Sequence, residues 1–242
     1  MRIIKMKTAI CFTGTGRSLE YARKNIKKFL IDAHDPCDVF AHISTTKYIG
    51  KVYQYFDFDE IASMAIEPDL DFDLDGLRWF PGWPAGLYSG PSPRQTYLNN
   101  LYARKRCGEI LTDYCQKNKV TYDKVIHSRL DVEYYNFLDD LDLGAICVPD
   151  FHNFPHLQGT GCNDRLAIGN LENMKTYFNA YDRIREFVAT GGLLHAESFL
   201  GWHLISSQLE IKKYPIRFTR IRPDGNRQDE RIKNPVLAIN DY

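Results

Sequence analysis

The sequence predicts an α/β fold with a mixed, mainly parallel central sheet flanked by helices. An apolar run at 7–12 is followed by a Gly-rich turn at 13–18 and then by apolar residues at helical spacing. A second apolar run at 37–43 follows that helix. A strand, a helix and a second strand in this order form a βαβ unit, which implies parallel strands.

The rest of the chain continues the pattern. Helical periodicity over 94–117 precedes a strand at 123–128, and short strands are predicted at 145–148 and 166–168. An amphipathic helix is predicted over 171–188 and one more helix over 195–208, and strand-like segments follow at 211–225. Because 45–93 contains five prolines and a Trp-rich stretch, we expect it to be a long excursion with little regular structure. One domain over 1–242 is the simplest organisation.

Composition excludes several classes of protein. The 242 residues include 31 basic and 31 acidic side chains, so the chain has no global field to attract nucleic acid or an anionic membrane. Its six cysteines show no CxxC spacing, which fits a reducing, cytoplasmic setting better than a disulfide or zinc framework. No segment approaches the ~20 apolar residues of a membrane helix, so we expect no membrane insertion.

The turn 13–18, Thr-Gly-Thr-Gly-Arg-Ser, has the composition of an anion cradle. Its glycines let the backbone approach a ligand, the following helix offers N–H groups, and Arg17 offers a guanidinium fork for phosphate. It has neither a Walker motif nor GxGxxG spacing. A plain Gly-rich turn capped by Ser18 explains the same residues equally well.

Charged residues follow the apolar strand at 123–128. Asp131 and Glu133 are two residues apart, so both carboxylates point to one side of an extended segment. Such a pair suits Mg²⁺ or Mn²⁺ bridging to phosphate oxygens, although the same pattern is common at solvated strand ends. Because ligands of open α/β sheets bind beyond the carboxyl ends of the strands, this segment and the Gly-rich turn are expected to face one crevice.

Two further carboxylates are candidates for acid–base chemistry. Asp164 precedes a short strand, and Glu197 lies near the start of an otherwise apolar helix. Glu197 could act as a general base or could simply favour the helix N-terminus electrostatically. Trp79, Trp83 and Tyr88 offer flat apolar faces that exposed loops rarely carry without a binding partner, and a satellite core cluster is the alternative.

In chain order, several segments together resemble a group of small glycosyltransferase-like proteins with the A-type (GT-A) nucleotide-diphosphosugar fold, found in bacteria and large DNA viruses. The segments are AICFTGTGRS, CDVFAHI, YDKVIHSRLDV, NDRLAIGNLENMKTYF and HAESFLGWHL. The group typically has a G-x-x-R turn, an R-x-D motif, and a later N-D before a strand that ends in Gly. The resemblance spans most of the chain except 45–93, and it implies a single-domain, Rossmann-like GT-A fold.

The resemblance also implies roles for individual residues. The residues implied to contact the nucleotide-sugar are Thr13, Gly14, Gly16, Arg17, Arg129 and Asp131. The metal-binding position, for Mn²⁺ or Mg²⁺, falls on Asp131 and Glu133, where the usual motif has a second Asp. Asp164 falls where acceptor or sugar hydroxyls are held, and Glu197 falls where inverting members keep the base.

These observations predict a hexosyltransferase-like glycosyltransferase, with a nucleotide-diphosphosugar donor, a glycan or related acceptor and assistance from a metal. A sulfotransferase is the second hypothesis, because a Gly-rich turn with Arg and Ser also suits a phosphosulfate donor. A third is a non-catalytic sugar-binding module that uses the aromatic cluster.

Overall fold

The computed structural model describes residues 6–45, 47–81, 93–137, 140–154 and 161–228. Its strands are β1 (Thr8–Gly14), β2 (Cys37–Ser44), β3 (Ile61–Glu67), β4 (Lys124–Arg129), β5 (Val132–Tyr134), β6 (Ile146–Pro149), β7 (Leu166–Gly169), β8 (Ile211–Tyr214), β9 (Phe218–Ile221) and β10 (Arg227–Gln228). Seven of them form the central sheet in the order β3-β2-β1-β4-β7-β6-β8, and the other three form a small sheet in the order β10-β9-β5. Within the central sheet β7 runs antiparallel to both of its neighbours, while the other pairs are parallel. The predicted α/β class with a mixed, mainly parallel sheet is confirmed.

Helices flank this sheet. They are α1 (Leu19–Ile26), α2 (Ile49–Tyr55), α3 (Pro93–Asn118), α4 (Leu171–Phe178), α5 (Ile184–Ala189) and α6 (Ala196–Ser206). A π-helical turn, Lys27–Ile31, continues α1, and a 3₁₀ segment, Asn179–Arg183, joins α4 to α5. The single helix predicted over 171–188 is therefore interrupted at this 3₁₀ segment.

The central strand β1 is buried on both faces. Ala9 and Cys11 join the hydrophobic cluster that includes α3, whereas Ile10 and Phe12 join the cluster that includes α1. Alternate residues of a strand point to opposite faces, so the continuous apolar run reflects cover by helices on both sides. The carboxyl end of β1 is thereby held rigidly between its neighbours β2 and β4.

The expectation of little regular structure over 45–93 is wrong for its first half. Helix α2 lies there, and β3 is the edge strand of the central sheet, paired in parallel with β2. All five prolines of the window stand at Pro68 or later, so nothing in 47–67 prevents regular structure.

All six cysteines are buried with free thiols.

Among the described helices, none has the length and apolar character needed to cross a membrane.

Candidate functional site

The predicted crevice is present at the carboxyl ends of β1 and β4. The two strands are parallel neighbours, with Thr13 in register with Arg129. Strand β7 begins at the same edge, where the Arg129 N–H donates to the carbonyl of Arg165 at 3.2 Å. The residues that line a pocket here are Gly14, Thr15, Gly16, Arg17, Ser18, Thr96, Asn100, Arg129, Leu130 and Asp131. The structure therefore brings the Gly-rich turn and the Arg129–Asp131 segment to one site.

The Gly-rich turn depends on the absence of side chains at two positions. Gly14 has φ +142° and Gly16 has φ +68°. A Cβ on Gly16 would lie 2.6 Å from Cγ2 of Val52, so both the backbone and the packing exclude larger residues there. Ser18 is the N-cap residue of α1, but its hydroxyl donates to the carbonyl of Ile221 at 2.8 Å and caps no helix N–H. The turn is thus tied to β9 of the small sheet.

Thr13 makes its polar contacts with neighbouring residues of the sheet. Its hydroxyl shares a 2.9 Å hydrogen bond with Nε2 of His127, and its carbonyl accepts from the N–H of Leu130 at 3.1 Å. Nδ1 of His127 bonds to the hydroxyl of Tyr177 at 2.9 Å. Burial lowers the pKa of His127 well below its ordinary value, so this ring is neutral. Thr13 anchors the end of β1, and the pocket lining begins at Gly14.

Asp131 is bound by guanidinium groups. Arg129 donates to both of its carboxylate oxygens, from Nε at 2.8 Å and from Nη2 at 2.7 Å. Nη2 of Arg17 lies 3.5 Å from Oδ2. Burial would raise the pKa of Asp131, but Arg129 and Arg17 outweigh it and hold that pKa well below its ordinary value. Asp131 is therefore an anion that orients two arginines of the pocket.

Glu133, the second carboxylate of the pair, is held elsewhere. It lies in β5 opposite Thr219 and receives a two-pronged ion pair from Arg227, with Nη2 donating to Oε1 at 3.0 Å. It is not among the residues that line the pocket. The structure does not bring Glu133 together with Asp131 as one ligand set.

These residues, as arranged, do not fit a divalent cation. Mg²⁺ and Mn²⁺ need several oxygen ligands, yet the oxygens of Asp131 and Glu133 already accept from Arg129 and Arg227. Within the described ranges, no three His, Cys, Asp or Glu side chains are grouped so that they could hold a metal ion. The predicted metal site stays a prediction.

Two buried arginines that we did not predict are linked to this edge of the sheet by hydrogen bonds. Arg104 of α3 is 3% exposed, donates from Nη2 to the carbonyl of Asp164 at 3.1 Å, and stacks over the ring of Tyr177 at 4.8 Å. Arg165, before β7, is 7% exposed. In the described part of the chain, Nε and Nη1 of both side chains have no hydrogen-bond partner. Buried donors of a charged group are costly when no acceptor reaches them, so water or a bound anion is expected to accept from these nitrogens.

Glu197 and Asp164 lie beside Arg165. Nη1 of Arg165 is 3.7 Å from Oε1 of Glu197 and 3.9 Å from Oδ1 of Asp164. Glu197 is 5% exposed, and burial together with the charge of Asp164 raises its pKa to about 7. Burial also acts on Asp164, but Arg165, Arg129 and Arg104 outweigh it and lower the pKa. One environment therefore pushes the two carboxyl pKa values apart, as in acid–base sites.

Chain geometry explains why Glu197 is at this edge. Helix α6 begins at Ala196, and the N–H of Cys162 donates to the carbonyl of Glu197 at 3.0 Å, which joins the segment before β7 to the first turn of α6. Nε2 of His195 lies 3.5 Å from Oε2 of Glu197. The rings of Phe80 and Phe154 each lie 5.8 Å from the His195 ring. The carboxyl of Glu197 is thus bordered by an aromatic group.

The predicted acceptor-side aromatics are only partly described. Trp79 forms a bridge with Leu194, two residues before α6, and packs edge-on against Tyr97 at 6.1 Å. It is partly buried against the core cluster, so packing accounts for its contacts, whereas Phe80 packs against His195. Trp83 and Tyr88 lie outside the described residues.

A family model described as "Domain of unknown function (DUF7796)" matches residues 3–221. This range includes the Gly-rich turn, the pocket arginines, Asp164 and Glu197. No curated protein matches the chain.

Proposed function

We propose that this chain, which belongs to the DUF7796 family, is a glycosyltransferase. It would move a sugar from a nucleotide-diphosphosugar donor to a carbohydrate or related acceptor. The observation that carries the proposal is that one sheet edge joins a guanidinium-lined, Gly-rich pocket to a buried carboxyl whose pKa is about 7. Sugar transfer needs both parts, because the departing diphosphate gains negative charge and the acceptor hydroxyl must lose a proton.

The donor side is built from the turn and the end of β4. Gly14 and Gly16 let a phosphate approach the backbone, and Arg17 and Arg129 present guanidinium groups that favour charge on the leaving diphosphate. Asp131 keeps both guanidiniums in place through its ion pairs. A site assembled before the ligand binds needs little reorganisation when charge develops in the transition state.

The acceptor side is built from Glu197 and Asp164. With a pKa of about 7, Glu197 is ionised in a large fraction of molecules at neutral pH and is still basic enough to take a proton from a sugar hydroxyl. Asp164, whose pKa is lowered, stays ionised and can accept a hydrogen bond from another hydroxyl. Phe80 offers a flat apolar surface near His195 for the face of a pyranose.

A sulfotransferase is the second candidate. The pocket arginines suit a phosphosulfate as well as a diphosphate, and that chemistry requires no metal. It also needs a base for the acceptor hydroxyl, so Glu197 serves both hypotheses. The donor that binds separates them.

Thermal unfolding tests the proposal directly, because a ligand that binds the native state raises the unfolding temperature by mass action. We expect one nucleotide-diphosphosugar from a panel of UDP-, GDP-, ADP- and dTDP-sugars to stabilise the protein, and release of its nucleoside diphosphate to depend on a glycan acceptor. The Glu197→Gln variant should still bind that donor but should transfer its sugar much more slowly. Glu172→Gln is the matched control, because Glu172 lies in the first turn of α4 and is exposed. Stabilisation by 3′-phosphoadenosine 5′-phosphate alone would favour the sulfotransferase.

A further inference from the structure

We infer that arginine side chains of this chain, rather than a divalent cation, neutralise the diphosphate of the donor. The inference rests on the proposed function and specifies how its donor site works. It departs from the metal site implied by Asp131 and Glu133.

The charged side chains at the site are unbalanced in favour of positive charge. Arg17, Arg104, Arg129 and Arg165 interact electrostatically with Asp131, Asp164 and Glu197 in one network. Among these described residues, four guanidinium groups against three carboxylates leave a formal excess of one positive charge when all are ionised. The whole chain, by contrast, has equal numbers of acidic and basic side chains. The excess is therefore local, and a diphosphate supplies the missing negative charge.

Some buried guanidinium nitrogens near the site lack a hydrogen-bond acceptor. Nε and Nη1 of Arg104 and Nε of Arg165 are buried without an acceptor in the described part of the chain, whereas Nη1 of Arg165 makes only long ion pairs, the shorter one with Glu197 at 3.7 Å. Arg104 is on the same face of α3 as Thr96 and Asn100, which line the pocket, because these three residues are four apart. Arg104 therefore lies on the pocket side of α3, one helical turn beyond Asn100. Phosphate oxygens that reach this depth would satisfy donors whose burial is otherwise costly.

The carboxylate of Asp131 is already occupied by guanidinium groups. A cation at Asp131 would have to displace Arg129, which donates to both oxygens, and would compete for Oδ2 with Nη2 of Arg17, which lies 3.5 Å from that oxygen. The excess positive charge of the network repels it further. Like charges in a poorly solvated site interact strongly, so guanidinium and cation are alternatives here rather than partners.

Calorimetric titration with UDP, GDP, ADP and dTDP provides the test, first with EDTA and then with Mn²⁺. We expect at least one of them to bind with the same affinity in both buffers. Arg17→Gln should weaken that binding about tenfold or more, since hydrogen bonds to charged groups are among the strong ones. Arg23→Gln is the matched control: Arg23 lies on α1, outside the pocket, and pairs with Asp57 at 2.7 Å. It should leave the affinity unchanged.

Asp131→Asn separates the two hypotheses by its dependence on Mn²⁺. If Asp131 is a metal ligand, the substitution lowers affinity in Mn²⁺ and leaves affinity in EDTA unchanged. If Asp131 only orients Arg129 and Arg17, the substitution changes affinity by the same factor in both buffers. Glu133→Gln should have no effect. Thermal unfolding of each variant establishes that it is folded. If Asp131→Asn does not fold, Arg17→Gln still tests the inference, because the Arg17 side chain is partly exposed.

The outcomes separate the two proposals. Binding that requires Mn²⁺ and is lost in Asp131→Asn overturns the inference and leaves the glycosyltransferase standing. If none of the four nucleoside diphosphates binds in either buffer, the proposed function falls together with the inference.

Discussion

Replacing Glu197 by Gln should make the protein more stable at alkaline pH and much less active. The pKa of Glu197 rises from an ordinary value of 4.5 to about 7 because the side chain is buried and Asp164 is nearby. Arg165 and Arg220 act in the opposite direction but do not compensate, and His195 faces the carboxyl at 3.5 Å. A pKa difference of about 2.5 corresponds to about 3 kcal/mol at about 1.4 kcal/mol per unit.

The sign follows from proton uptake. Between pH 4.5 and about 7 the folded protein binds a proton at Glu197 that the unfolded chain does not bind. The stability contributed by this group is fully present below pH 4.5 and is lost as the pH rises through about 7. Gln has no proton to lose, so the variant should match the parent near pH 4.5 and exceed its free energy of unfolding by about 3 kcal/mol at pH 8.

Urea unfolding at pH values from 5 to 8 measures this difference, and turnover under saturating donor measures the catalytic role. The turnover of the parent should rise with pH through about 7, and Glu197→Gln should lower it by ~10²-fold or more. Glu172→Gln, in the first turn of α4, should change neither quantity by much. If Glu197→Gln instead loses about 1 kcal/mol at pH 8 and keeps its turnover, Glu197 only stabilises its helix N-terminus and the assignment fails.

Two further substitutions test the site around Glu197. Asp164→Asn should weaken acceptor binding more than it lowers turnover under saturating conditions; a large loss of turnover beside near-normal Glu197→Gln would make Asp164 the base instead. Gly16→Ala should cost about 1–3 kcal/mol of stability by urea unfolding, because its φ is +68° and a Cβ would meet Val52 at 2.6 Å. Gly50→Ala is its control, since a Cβ there has no neighbour within 4 Å; equal effects at the two positions would refute the steric argument.

The sequence predicted the core of the sheet well because local pattern and burial agree there. Strand β1 is covered on both faces and is an unbroken apolar run, so its assignment needed no tertiary information. Strand β3 was missed because the prolines of one long window were counted together, although they all follow Glu67. As an edge strand its residues are half-buried or exposed, so its hydrophobic signal is weak.

The candidate site was predicted in part for a similar reason. The turn and the Arg129–Asp131 segment follow strands directly, so the rule for strand ends locates them. Arg104 has no such marker, although a charge on the apolar face of α3, between Leu101 and Cys107, was a signal that could have been read. The ion pair between Glu133 and Arg227 joins residues 94 positions apart, and no local pattern encodes it.

Burial at this edge has a cost that a ligand can remove. Nε of Arg104 and Nε of Arg165 are buried donors without an acceptor in the described part of the chain, and Glu197 is held in surroundings that resist its ionisation. A sequence selected for stability alone would replace these groups with apolar ones, since swapping buried charge for well-packed hydrophobic residues is often neutral or stabilising. Their presence together at the end of β1 and β4 is better explained by a bound anion and a proton transfer. The free protein should accordingly gain unusually large stability from its true donor, because binding satisfies the buried guanidiniums as well as adding new contacts.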